Sequence, residues 1–134
     1  MAKIYPYTRK TREFLEEHGW KVCSVERYHG GVRRDLFGII DIIAIAKGQI
    51  VGVQSSSFKQ RRPHLKKIMG ECRTNTEEWL RTPGQLWLVT WKAVTRGGNK
   101  PVKDTKKNNI KYIPVVDVFT LDGGEIHHHP LGQD

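Results

Sequence analysis

The longest apolar run in this 134-residue chain, Ile39-Ile40-Asp41-Ile42-Ile43-Ala44-Ile45-Ala46, has a carboxylate inside it. No other feature limits the fold as sharply. A run of isoleucines with almost no polar face reads as a strand buried on both sides, and such a strand needs cover over each face of its sheet. Asp41 is costly there unless it is hydrogen-bonded, ion-paired or coordinated to a cation. The run is also far short of the roughly 20 residues a membrane-spanning helix requires.

The flanking segments supply that cover. From about Thr8 to His18, the positions Thr11, Phe14, Leu15 and His18 fall at helical spacing, and Gly19 is a natural stop. Trp20 to Tyr28 is rich in β-branched and aromatic residues and predicts a strand, which His29-Gly30-Gly31 breaks. The buried strand covers Leu36 to Ala46, Lys47-Gly48-Gln49 turns the chain, and Ile50 to Ser57 forms the next strand. Its alternation puts Ile50, Gly52, Gln54 and Ser56 on one face and Val51, Val53 and Ser55 on the other.

Pro63 suits the start of a helix with an apolar stripe of Leu65, Ile68, Met69 and Cys72. Thr74 and Glu77 read as a capping box opening a second helical segment through Leu80, which Thr82-Pro83-Gly84 ends. Leu86 to Trp91 predicts a strand, Gly97 to Asn109 a lysine-rich loop, and Lys111 to Thr120 a last strand. Pro114 has no N–H for a ladder, so that strand is expected at a sheet edge. The tail from about Glu125 reads as flexible, with His127, His128 and His129 a solvated terminus rather than a metal site. The order α-β-β-β-α-β-β, with no repeat or linker, predicts a single α/β domain built on one mixed sheet flanked by helices.

Charge points to the partner. Lys and Arg number 23 against 14 Asp and Glu, a formal net charge of +9. Such an excess favours a polyanion, because each phosphate neutralised releases condensed counterions. The clusters are Arg33 and Arg34; Lys59, Arg61, Arg62, Lys66 and Lys67; and Lys100, Lys103, Lys106, Lys107 and Lys111. The first two clusters are the candidate DNA-binding residues. General solubility charge is the plain alternative. No basic stretch has the wide apolar face of a membrane-surface helix. Cys23 and Cys72 lack the spacing of a zinc site and read as reduced thiols, and no apolar segment follows the basic start of the chain, so a cytoplasmic location is expected.

Phosphodiester cleavage is helped by a hard divalent ion held by oxygen ligands. One way to hold it is an acid on one strand and, on the neighbouring strand, a second acid two residues from a lysine, so that acid and lysine share a face. Asp41 supplies the first element, and Gln54 and Ser56 stand at the other two.

Several stretches carry a family resemblance over roughly Thr11 to Trp91. They are Val25-Glu26-Arg27, Arg33-Arg34-Asp35-Leu36-Phe37-Gly38-Ile39-Ile40-Asp41 and Val53-Gln54-Ser55-Ser56-Ser57. In the order helix, strand, Gly-x-x-Asp-Ile-Ile-Ala, strand, basic helix, strand, the chain resembles PD-(D/E)XK nucleases. Archaeal Holliday-junction resolvases, VRR-NUC proteins and a phage and bacterial branch are of this kind.

The resemblance implies a restriction-endonuclease-like αβββαβ core, cleavage of DNA, and Mg2+ or Mn2+ as cofactor. It implies Asp41 at the metal-binding aspartate, Gln54 at the second acid and Ser56 at the lysine. Glutamine still offers a carbonyl oxygen, whereas serine cannot replace an ammonium. A displaced cation, Lys59 or Lys67, is the expected substitute. A further acid is expected from the first helix, Glu17 ahead of Glu16 or Glu13, or from Glu26 in the first strand. Homodimers are common among such nucleases. The competing reading is a DNA-binding module that kept the scaffold and lost cleavage, for which the changes at Gln54 and Ser56 speak most directly.

Overall fold

The computed structural model describes residues 6–96 and 109–131; all of the expected lysine-rich loop except Asn109 lies outside them. The first helix, α1 (Pro6–Glu17), buries Thr8, Thr11 and Leu15 and ends where Gly19 takes φ +88°. The predicted strand from Trp20 to Tyr28 divides in two. β1 (Lys21–Ser24) joins the main sheet, and β2 (Arg27–His29) pairs with β3 (Val32–Arg34) in a separate two-stranded ribbon around Gly30 and Gly31.

The expected strand Leu36 to Ala46 is shorter than predicted. Leu36 bridges to Ile40 across a tight turn in which Phe37 and Gly38 both have positive φ, 56° and 76°. Only β4 (Ile42–Ala46) is a regular strand. Ile39 and Ile40 are nonetheless fully buried, because the turn folds them against the helices on that face. β5 (Gln49–Ser57) follows as predicted.

From Phe58 the chain runs through a 3-10 turn (Phe58–Gln60), α2 (Arg61–Lys66), a π-helical turn (Lys67–Glu71) and α3 (Arg73–Leu80). The π turn is closed by the Cys72 N–H donating to the Lys67 carbonyl at 2.8 Å. The capping box does not form. Thr74 lies inside α3, and Glu77 accepts from Arg73 at 2.8 Å instead.

β6 (Gln85–Thr95), β7 (Ile110–Asp122) and β8 (Glu125–Pro130) complete a six-stranded sheet of order β1-β4-β5-β6-β7-β8. Only the β5–β6 pair is parallel, so the helices from Arg61 to Leu80 form its crossover. Two expectations change at the sheet's end. The tail is an edge strand, β8, rather than a loose terminus, and β7 is therefore internal. Proline survives in β7 because β8 covers only Asp117 to Asp122; Pro114 lies past its reach, where β7 is locally an edge.

Helices cover both faces, and the alternation along β5 sorts the core. Val51 and Val53 pack with Leu15, Ile42, Ala44, Trp87, Val89 and Trp91 beneath α1. The opposite face holds Ile39, Ile40, Ile68, Leu86, Leu88 and Phe119 beneath α2 and α3. Gly52 on that second face has a packing reason. A Cβ there would stand 2.5 Å from Ile40 Cδ1 and 3.1 Å from the Trp79 ring, so glycine lets Ile40 lie directly on the strand.

Candidate functional site

Asp41 enters the sheet just ahead of β4. Its N–H donates to the Val53 carbonyl and its carbonyl accepts from Val25, both at 2.8 Å. Those bonds fix the backbone, and the side chain points to the α2–α3 face, the one Gln54 shares. Asp41 is fully buried and Gln54 is 1% exposed.

The burial is offset by specific bonds. Asp41 Oδ2 accepts from the Ser55 N–H at 2.8 Å and from Gln54 Nε2 at 2.9 Å. The same Gln54 nitrogen donates to Asp35 Oδ2 at 3.0 Å. A single amide therefore ties two carboxylates together across the sheet end.

Asp35 arrives by way of the strained turn. The Gly38 N–H closes onto the Asp35 carbonyl at 3.1 Å, and Asn75 Nδ2 holds the Phe37 carbonyl at 3.0 Å. A left-handed non-glycine residue such as Phe37 costs about 1–2 kcal/mol. Strain of this kind clusters at functional sites. Glu26 follows β1 in the link to β2. One carboxylate oxygen each from Glu26, Asp35 and Asp41 lie within 4.8 Å of one another.

Cationic balance comes from the helix side. Lys67 Nζ is 3.6 Å from Asp35 Oδ2 and opens the π turn. Of the two displaced cations expected, Lys67 is the one beside the carboxylates, and Lys59 stands exposed on the 3-10 turn beyond β5. Ser56 is half-buried on the Gln54 face two residues further along β5, paired in register with Thr90.

Glu17 is not brought to this group. It ends α1 and is exposed, as are Glu13 and Glu16, and α1 covers the other face of the sheet through Thr11 Oγ1 to Ser55 Oγ at 2.6 Å. Asp35 is the residue that sequence reasoning missed. An acid beside two arginines reads as a surface ion pair, and only the turn at Phe37 and Gly38 carries it to Asp41.

The donor set suits a hard divalent cation. Three carboxylates offer oxygen only, and magnesium ligands opposite one another stand about 4.2 Å apart at Mg–O distances near 2.1 Å. Three ligands of one octahedral ion include at least two neighbouring pairs at about 3.0 Å, so oxygens at no more than 4.8 Å would close by up to about 1.8 Å around a cation. A half-turn of the Gln54 amide would add its carbonyl oxygen. That turn would give up the two hydrogen bonds Nε2 donates to Asp35 and Asp41, while Oε1, buried, meets no hydrogen-bond donor among the described residues.

The expected basic surface is narrower than the sequence suggests. Arg34, Lys59, Arg62 and Lys66 are exposed; Arg33 lies in β3, and its side chain is outside the described ones. Arg61 is committed elsewhere. Its Nε and one terminal nitrogen both donate to Asp117 at 2.8 Å, and Asp117 is 1% exposed. The hydrogen bonds to Asp117 raise the Arg61 pKa above its ordinary value, against the lowering effect of burial. His128 lies on the other side of that carboxylate, Nδ1 3.6 Å from Oδ1, so the histidine run is part of the sheet.

No family model, curated protein or solved structure matches the chain. Among the described residues no helix is long and apolar enough to cross a membrane.

Proposed function

We propose that this chain is a divalent-metal-dependent phosphodiester hydrolase acting on DNA, of the PD-(D/E)XK kind, with Mg2+ or Mn2+ held by Glu26, Asp35 and Asp41. The observation that carries this reading is the convergence of the three carboxylates within 4.8 Å, with Lys67 3.6 Å from Asp35. Bound metal would supply charge neutralisation at the phosphate and a more acidic water. Asp41 and Asp35 orient through the shared Gln54 amide, and the Ser55 N–H aims the Asp41 carboxylate. Lys67 supplies the ammonium that Ser56 cannot, stabilising negative charge as it develops next to the carboxylates. The exposed cations Arg34, Lys59, Arg62 and Lys66 hold the DNA backbone.

Incubating linear, supercoiled and branched DNA with magnesium or manganese tests the reading. Wild-type protein cleaves at least one of them in a metal-dependent manner, and Asp41→Ala does not. A wild-type chain inert on all three with both metals overturns cleavage. The second reading, a DNA-binding module without hydrolysis, is favoured by Gln54 and Ser56 standing where an acid and a lysine are expected. It predicts salt-sensitive binding with no cleavage in the same assay.

A further inference from the structure

We propose that Phe37 is a stacking platform for an unpaired DNA base, so that the nucleotide presented to the carboxylates is taken out of the duplex. The phosphate's place rests on the phosphodiesterase reading above; the base's place rests on separate observations. Phe37 is the most exposed large hydrophobic residue among those described, at 55%. It holds that exposure at a φ of 56°, where glycine or asparagine would be unstrained. Burial therefore does not account for a phenyl ring at this position.

Phe37 is also the common wall of two clefts. One, of about 710 Å³, is lined by Glu26, Asp35, Arg27 and Arg34, with Leu36 and Phe37 at its side. The other, of about 470 Å³, lies between Phe37 and Trp79 and is bounded by Asn75, Glu78 and Thr82. Trp79 is a rigid wall, since its Nε1 donates to the Gln85 carbonyl at 2.9 Å.

A nucleotide laid across this ridge has its phosphate on the charged side and its base against the ring. The exposed guanidinium groups of Arg27 and Arg34 attract the phosphate, while the second cleft offers an aromatic surface to a base. Every base has a π face, so such stacking tolerates sequence. A base still stacked and paired in a duplex cannot reach it. The substrate class is DNA with an unpaired nucleotide at the point of attack, as at a bulge, flap or junction.

Binding in calcium, which shares magnesium's preference for oxygen ligands, tests the proposal with two probes. One is a duplex, and the other is the same duplex carrying a single unpaired 2-aminopurine. Wild-type protein binds the second about tenfold more tightly and quenches the 2-aminopurine, as expected for one stacked base. Phe37→Gly, which suits the backbone at this position, loses the preference and the quenching, and Phe37→Tyr keeps both. Equal binding of the two probes by wild type, or a preference that survives in Phe37→Gly, overturns the stacking role and leaves the phosphodiesterase reading standing. Binding of neither probe overturns both.

Discussion

The amide nitrogen of Gln54 lies 2.9 Å from the Asp41 carboxylate, in a part of the sheet that excludes water from both side chains. In a nuclease of the proposed kind this position is expected to be an acid, and the amide changes what the site does without metal. A second carboxylate here would repel Asp41 and Asp35, whereas the glutamine bonds to each of them. The protein therefore holds Asp35 and Asp41 in place through one neutral side chain, at the expense of one negative charge at this position.

Gln54→Glu reverses that balance. Without metal it removes two donated hydrogen bonds and adds a like charge, which should lower stability by about 2 kcal/mol or more. Magnesium or manganese should then raise the melting temperature more than in wild type and bind about tenfold more tightly or better. Thermal melting across a metal titration reads both effects. A variant with unchanged stability and no metal response would show that Gln54 does not face a cation site.

Lys67→Met should cut DNA cleavage by about a hundredfold or more, the scale of a lost proton-transfer or charge-stabilising group. Binding should weaken only by about one phosphate contact. Because Ser56 shares the Gln54 face of β5, Ser56→Lys in the Lys67→Met background should restore part of the activity. Turnover measured alongside affinity separates the two effects, and an unaffected rate in Lys67→Met removes the lysine from the chemistry.

Arg61→Ala should destabilise the fold by about 3 kcal/mol, because it leaves the Asp117 carboxylate buried without its bidentate partner. Arg61→Met combined with Asp117→Leu should recover most of that loss, since both charges are then gone from a largely apolar setting. Chemical denaturation of the single and double variants checks this. A double variant no more stable than Arg61→Ala would mean that packing, rather than an unpaired charge, dominates the loss.

Binding to duplex DNA should weaken steeply between about 50 and 200 mM salt. Replacing Lys59, Arg62 and Lys66 together should reduce the slope of log K against log salt by roughly 2–3, about 0.9 for each lost phosphate contact. Arg61, tied to Asp117, should contribute little to the slope. A binding constant flat across this salt range would remove the electrostatic account of the basic surface.

Periodicity settled much of this protein before any tertiary contact was considered. Alternation along β5 puts Gln54 and Ser56 on one face, the helical spacing of Thr11 and Leu15 turns α1 onto the sheet, and an acid amid isoleucines demands partners for Asp41. These are local properties, set by a repeat of two or of 3.6 residues. What the tertiary structure alone decided is which distant groups meet.

Asp35 and Glu26 lie outside the main-sheet strands, so no alternation assigns them a face, and Asp35 reaches Asp41 through a left-handed turn at Phe37 that sequence periodicity does not register. Lys67 comes from a helix whose seat over the sheet depends on Ile68 and Leu88 packing together. Arg61 is withdrawn from the basic surface by Asp117, a residue 56 positions away. The tail becomes β8 only because β7 offers it an unpaired edge from Asp117 to Asp122. Strand pairing and ion pairing across such separations are governed by how the layers pack, and a short window of sequence holds no record of that.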